Sequence, residues 1–109
     1  MGILVPGTRG GANPIGNMTL GVRYLIEQGK LAGTYPFAFS CRAVNFEKGV
    51  VRGYTMVQTE TGLRWVRRTF PLPDVVYDHI TYRRRDRATD IRNLRAQLRA
   101  RNIPYFNTG

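Results

Sequence analysis

The stretch Pro71–Leu72–Pro73–Asp74–Val75–Val76–Tyr77–Asp78 sets the tightest limits on what this chain can become. Each proline fixes its own φ and pushes the residue before it out of the helical region, so the segment begins extended. Val75 and Val76 are β-branched and Tyr77 is aromatic, which suits a strand buried in a sheet, and the polar pair Asp78–His79 marks its far end. In an open α/β sheet, ligands gather at that end of the strands. Upstream the chain is rich in strand and turn signals; downstream lies an arginine-rich helix, so this strand joins two unlike halves.

At 109 residues the chain makes one domain, residues 1–109, with room for a single core but little for a multi-step active site and its own cofactor cleft. With 42% apolar residues and regular turn signals it is globular rather than disordered. Its apolar runs are too short to span a bilayer, and Met1 leads into Gly2–Val5 without the charged and apolar regions of a secretory signal. A soluble, cytoplasmic protein with no membrane partner is expected. The lone Cys41 excludes an internal disulfide, and no cysteine or histidine cluster has metal-site spacing. Cys41 reads as a small buried residue; a catalytic thiol with His79 as its base is the competing reading.

The net charge of +10 comes almost wholly from arginine, fifteen against two lysines, and twelve of the fifteen fall between Arg52 and Arg101. Such a basic half suits nucleic acid, phosphate-bearing ligands or an acidic protein surface. A solvated face in an arginine-rich chain explains it equally well.

Along the chain, Gly2–Val5 reads as a first buried strand ended by Pro6–Gly7. Thr8–Gly16 is a glycine-rich loop, and Asn17 stands where a helix N-cap belongs. The free amides of a helix start can bind an anion, but neither the P-loop lysine nor the dinucleotide glycine spacing is present. Met18, Val22, Leu25 and Ile26 form one helical face that is expected to end near Gly29. Tyr35, Phe37 and Phe39 alternate in a second strand reaching Val44, as core rather than as a base-stacking platform. After a turn at Asn45–Gly49, Val50–Val57 and Leu63–Phe70 make a hairpin, with Arg64 and Arg68 on the face opposite Leu63 and Trp65. Trp65 is read as a core residue in preference to a nucleotide-stacking one. Beyond the basic run Tyr82–Arg87, Ile91, Leu94 and Leu98 share the buried face of a second helix, whose other side carries Arg92, Arg95 and Arg99. Asn102 and Pro104 stop that helix, and Ile103–Phe106 forms a last strand. The fold class is therefore α/β: a mixed sheet, two helices and a β-hairpin.

Pro71–Tyr77, the arginine cluster after it, the helix and Pro104–Tyr105–Phe106–Asn107 together resemble the amino-terminal region of the YheC/YheD-like ATP-grasp proteins, some of which are associated with endospore coats. In that family a PDVVYNR strand is followed by a charged turn, a helix and an FN strand just before the ATP-grasp part begins. The upstream half follows a similar order, so the resemblance spans nearly the whole chain but is specific only in the second half. Asp74 and Tyr77 match the family positions; Asp78–His79 replaces Asn–Arg, and Arg83 stands where it can supply the missing guanidinium. The resemblance implies a pre-ATP-grasp domain, a fragment that precedes the ATP-grasp part of a carboxylate–amine ligase. ATP and magnesium would belong to later domains of the parent, and this fragment itself would carry no cofactor, no metal and no catalytic residue. Its part would be one wall of a substrate cleft, with Arg9, Asn13, Asn17, Asp78, His79 and Arg83 as substrate-binding candidates, since arginine's planar fork suits carboxylate or phosphate. The implied partners are the remaining ATP-grasp domains and a small-molecule or peptide carboxylate, in a cytoplasmic or spore-coat setting, with self-association a further option. The alternative is a stand-alone basic module that binds nucleic acid or an acidic partner. Placing the Gly10–Asn17 loop and the Asp78–Arg85 turn at opposite ends of the sheet would rule out the cleft.

Overall fold

The computed structural model describes residues 1–5, 19–31, 35–78 and 88–107. In chain order these form β1 (Gly2–Leu4), α1 (Thr19–Leu31), β2 (Phe37–Phe39), a single 3-10 turn (Cys41–Ala43), β3 (Val44–Asn45), β4 (Val50–Thr59), β5 (Gly62–Pro71), β6 (Val76–Asp78), α2 (Ala88–Ala100) and β7 (Tyr105–Asn107). The seven strands build one mixed α/β sheet. Its middle is parallel: β2 and β6 flank β1, and β7 lies outside β6, in the order β2-β1-β6-β7. The long β4 runs antiparallel to β2 and β3 and pairs with β5 along its whole length.

The chain therefore moves one way from β1 to β2 and the other way from β6 to β7. Because parallel crossovers are right-handed, opposite directions put the two helices on opposite faces of the sheet. The buried clusters follow that division. On one face Ile3, Val5 and Ala38 meet Val22 and Ile26 of α1. On the other, Leu4, Phe37, Phe39 and Val76 meet Ile91, Leu94 and Leu98 of α2. Adjacent strand residues point to opposite faces, so Ile3 and Leu4 serve different cores.

Most expected elements appear, with instructive differences. α1 ends near Gly29 as expected, two residues beyond it at Leu31, with Gly29 itself buried. β2 is shorter than expected. It begins at Phe37 and ends at Phe39, Tyr35 is 85% exposed instead of core, and the chain coils into the 3-10 turn before reaching Val44. Cys41 in that turn is half-buried against the α2-side core rather than enclosed. Val75 lies outside β6, although its carbonyl accepts a bond from Gly2 N–H at 2.8 Å. Met18 and the proposed N-cap Asn17 lie outside the described residues.

The hairpin closes through Glu60 and Thr61, with Gly62 at φ 119, a backbone angle that side chains disfavour. Trp65 is half-buried, packed against the α1-side core from its margin rather than enclosed in it. Gly53 of β4 is required by close approach: a Cβ there would lie 2.8 Å from the Phe37 ring and 2.9 Å from the Ala38 carbonyl oxygen. α2 ends in a Schellman motif. Asn102 takes the left-handed conformation at φ 58, its N–H bonds to Arg99 O at 3.0 Å, and Ile103 N–H reaches Leu98 O at 2.9 Å. Ile103 then packs on the core that holds Leu98, which seals the helix end.

Candidate functional site

Leu4 of β1 stands in register with Phe39 of β2 on one side and Asp78 of β6 on the other, and Asp78 in turn with Asn107 of β7. The carboxyl ends of all four parallel strands thus share one edge. The reversal of winding falls between β1 and β6, and in doubly wound sheets the crevice outside that switch point is where ligands bind. The chain leaves β1 at Val5 and β6 at Asp78, side by side at this crevice. Val5 and Asp78 therefore lie at the same end of the sheet, while the Gly10–Asn17 loop and the turn beyond Asp78 lie outside the described residues. Arg9, Asn13, Asn17, His79 and Arg83 lie outside the described residues, and Asp78 alone of the candidates has a described position.

Asp78 is fully buried, on the face of β6 that also carries Val76. A buried carboxylate is tolerated only where donors meet it, and one donor is the hydroxyl of Tyr105, which bonds to Asp78 Oδ2. Tyr105 is in register with Val76, two residues before Asp78, so its side chain shares their face and reaches along it. The Arg95 guanidinium of α2 lies 4.9 Å above the Tyr105 ring. β6, β7 and α2 are thereby coupled through one carboxylate, one phenol and one guanidinium. The Asp78 carboxyl thus lies in the interior at the end of β6, bonded by Tyr105, rather than open to solvent. The sequence reading missed Tyr105 as its partner; the available signal was a strand tyrosine, but pairing it with Asp78 requires the parallel β6–β7 register.

On the α2 side the same edge is held by an ion pair. Arg42 in the 3-10 turn after β2 bonds through Nε to Asp90 Oδ2 at 3.0 Å, and Asp90 lies in the first turn of α2, where a carboxylate also complements the helix dipole. Between these two segments is a cavity of about 300 Å³ lined by Cys41, Arg42, Phe46, Asp90, Asn93 and Gln97 among others. At the opposite, amino edge, Asp74 is 80% exposed and 3.3 Å from the N-terminal ammonium. The hydrogen bond from that ammonium, and then its charge, hold the Asp74 carboxyl below its ordinary range. Asp74 matches the resembled family's motif but sits away from the crevice, closing the start of β1 against the loop before β6.

Among the described residues no three histidine, cysteine, aspartate or glutamate side chains converge to hold a metal ion. No helix among them is long and apolar enough to cross a membrane.

These features define a small doubly wound α/β unit with its switch point between β1 and β6. Over 95 residues the chain is 30% identical to the endospore coat-associated protein YheD of Bacillus subtilis (strain 168), a match that covers 86% of this chain and 20% of that protein. The chain thus spans about a fifth of the length of the curated relative it matches. No family model matches the chain, and no solved structure matches it.

Proposed function

We propose that this chain is the non-catalytic amino-terminal domain of an ATP-grasp carboxylate–amine ligase-like protein, and that its carboxyl edge forms one wall of the substrate cleft. The observation that carries the reading is the parallel β1–β6 pair, whose adjacent ends send residues 6–18 and 79–87 away from the same side of the switch point. The similarity to YheD over most of this chain but a fifth of that protein supports a domain of something larger and a spore-coat setting. Arg9 and Arg83 fall in the two departing segments, and each could fork onto a carboxylate or phosphate. ATP and magnesium would be bound by other domains, which would supply the acyl-phosphate chemistry.

Two measurements test this. The coding frame should continue past the Gly109 codon into a glycine-rich, lysine-bearing and then acidic segment. The purified whole product should release ADP only when a carboxylate and an amine are both supplied, and Arg83→Ala should raise KM for the carboxylate more than it lowers kcat. A stop codon after Gly109, together with ADP release by no carboxylate–amine pair, overturns the reading.

The alternative, a stand-alone module for nucleic acid, draws on the exposed Arg92, Arg95 and Arg99 of α2. It requires an affinity that falls steeply and log-linearly with salt, whereas a ligase domain should be nearly indifferent to nucleic acid at physiological salt.

A further inference from the structure

β5 forms a long edge of the sheet. It runs from Gly62 to Pro71, and among the described residues it pairs with β4 alone. Which of its backbone groups face outward follows from bonds on the other side of β4. Phe37 N–H bonds to Met1 O at 3.1 Å and Phe39 O accepts from Val5 N–H at 2.9 Å, so both residues turn toward β1. Ala38 between them turns toward its β4 partner Tyr54, and Tyr54 faces it in return. Tyr54 therefore faces away from β5, and in an antiparallel ladder its cross-strand partner Arg67 faces away from β4 as well. Counting by twos, Leu63, Trp65, Arg67 and Thr69 direct N–H and C=O to the open edge. Pro71 belongs to the same set but has no N–H, so a ladder built on this edge ends there.

The side chains along that edge are basic. Arg64 and Arg68 are exposed on one face and Arg67 on the other, and the strand contains no acidic residue. Among the described residues none of the three pairs with a carboxylate; Arg67 lies 5.9 Å from the Tyr54 ring. Such charges repel a second copy of the same edge, the usual protection against sheet-to-sheet aggregation. An acidic chain meets the opposite situation, because guanidinium groups wait on both faces of any strand added there. The pattern of alternating donors and acceptors also suits a peptide backbone better than a phosphate backbone.

We propose that the outer edge of β5 captures an acidic, extended polypeptide segment by strand addition, in which the backbone ladder gives affinity and the three arginines select for acid. This is independent of any ligand at the β1–β6 crevice.

The test titrates the 109-residue chain with a short peptide of alternating glutamate and threonine, read by amide exchange in NMR. Saturating peptide should slow exchange at Leu63, Trp65, Arg67 and Thr69 and leave Arg64, Val66 and Arg68, already bonded to β4, unchanged. Arg64→Glu with Arg68→Glu should weaken binding by about tenfold or more, in line with loss of several cross-strand charge pairs. The same peptide N-methylated at every residue keeps its charge but has no N–H to give the ladder from either edge, and it should not bind. Equal binding of the methylated peptide, no binding of either, or displacement by an oligothymidylate that protects the same amides would each overturn the proposal.

Discussion

Tyr105 and Asp78 show how much of this edge rests on two side chains. A buried carboxylate that loses one of its donors keeps its desolvation cost and gives up a charged hydrogen bond. Tyr105→Phe removes only the hydroxyl that bonds Asp78, and it should lower unfolding free energy in urea by about 1–3 kcal/mol. An unchanged midpoint would mean that Asp78 is held by its other contacts alone. At the amino edge Asp74 supplies a pH test of the opposite kind. Its carboxyl is depressed in the folded chain, so the contact stabilises above the ordinary carboxylate range and is lost as pH falls through the folded value. Because the carboxylate is 80% exposed, solvent screening keeps that stabilisation small. Acetylating Met1 should return the Asp74 titration, followed by carboxyl NMR, upward to its usual range; an unmoved titration would rule out the ammonium as the cause.

At the scale of elements, legibility in the sequence followed local periodicity. α2 was readable because Ile91, Leu94 and Leu98 repeat at helical spacing and all three are buried, and because Asn102 before Pro104 marks its end. The hairpin was readable from two β-rich arms around Thr61–Gly62. What was not readable depended on contacts distant in sequence. Gly29 looked like a stop because a glycine near a helix end usually is one, but it is buried within the last turn and the helix runs two residues further, to Leu31. Tyr35 fitted the aromatic alternation of β2 but precedes the strand, so the sheet does not cover it. Gly53 likewise gave no local sign of its role, since what it accommodates is Phe37 and Ala38 on another strand. Gly53→Ala should force β4 from β2 and cost about 1–3 kcal/mol by urea unfolding, the range for overpacking. A neutral substitution would show that β2 can yield by several tenths of an ångström without loss.

For the whole molecule, the sequence indicated an α/β class and an amino-terminal-domain resemblance, but not a strand order. Parallel neighbours such as β1 and β6 are separated by most of the chain, and nothing in Gly2–Leu4 names Val76–Asp78 as its partner. The order matters because it converts a list of strands into one edge with a switch point. The candidate site was legible to the extent that Asp78 was placed at a strand end, while Tyr105, Arg95 and the Arg42–Asp90 tie emerge only from the assembled sheet. The most direct measurement is amide NMR of the chain titrated with a small dicarboxylate and, separately, with inorganic phosphate. Shifts clustered at Val5, Ser40, Asp78 and Asn107 are expected if the carboxyl edge is the ligand-facing wall. Shifts confined to the arginine face of α2, or to Met1 and Val75 at the amino edge, would contradict it.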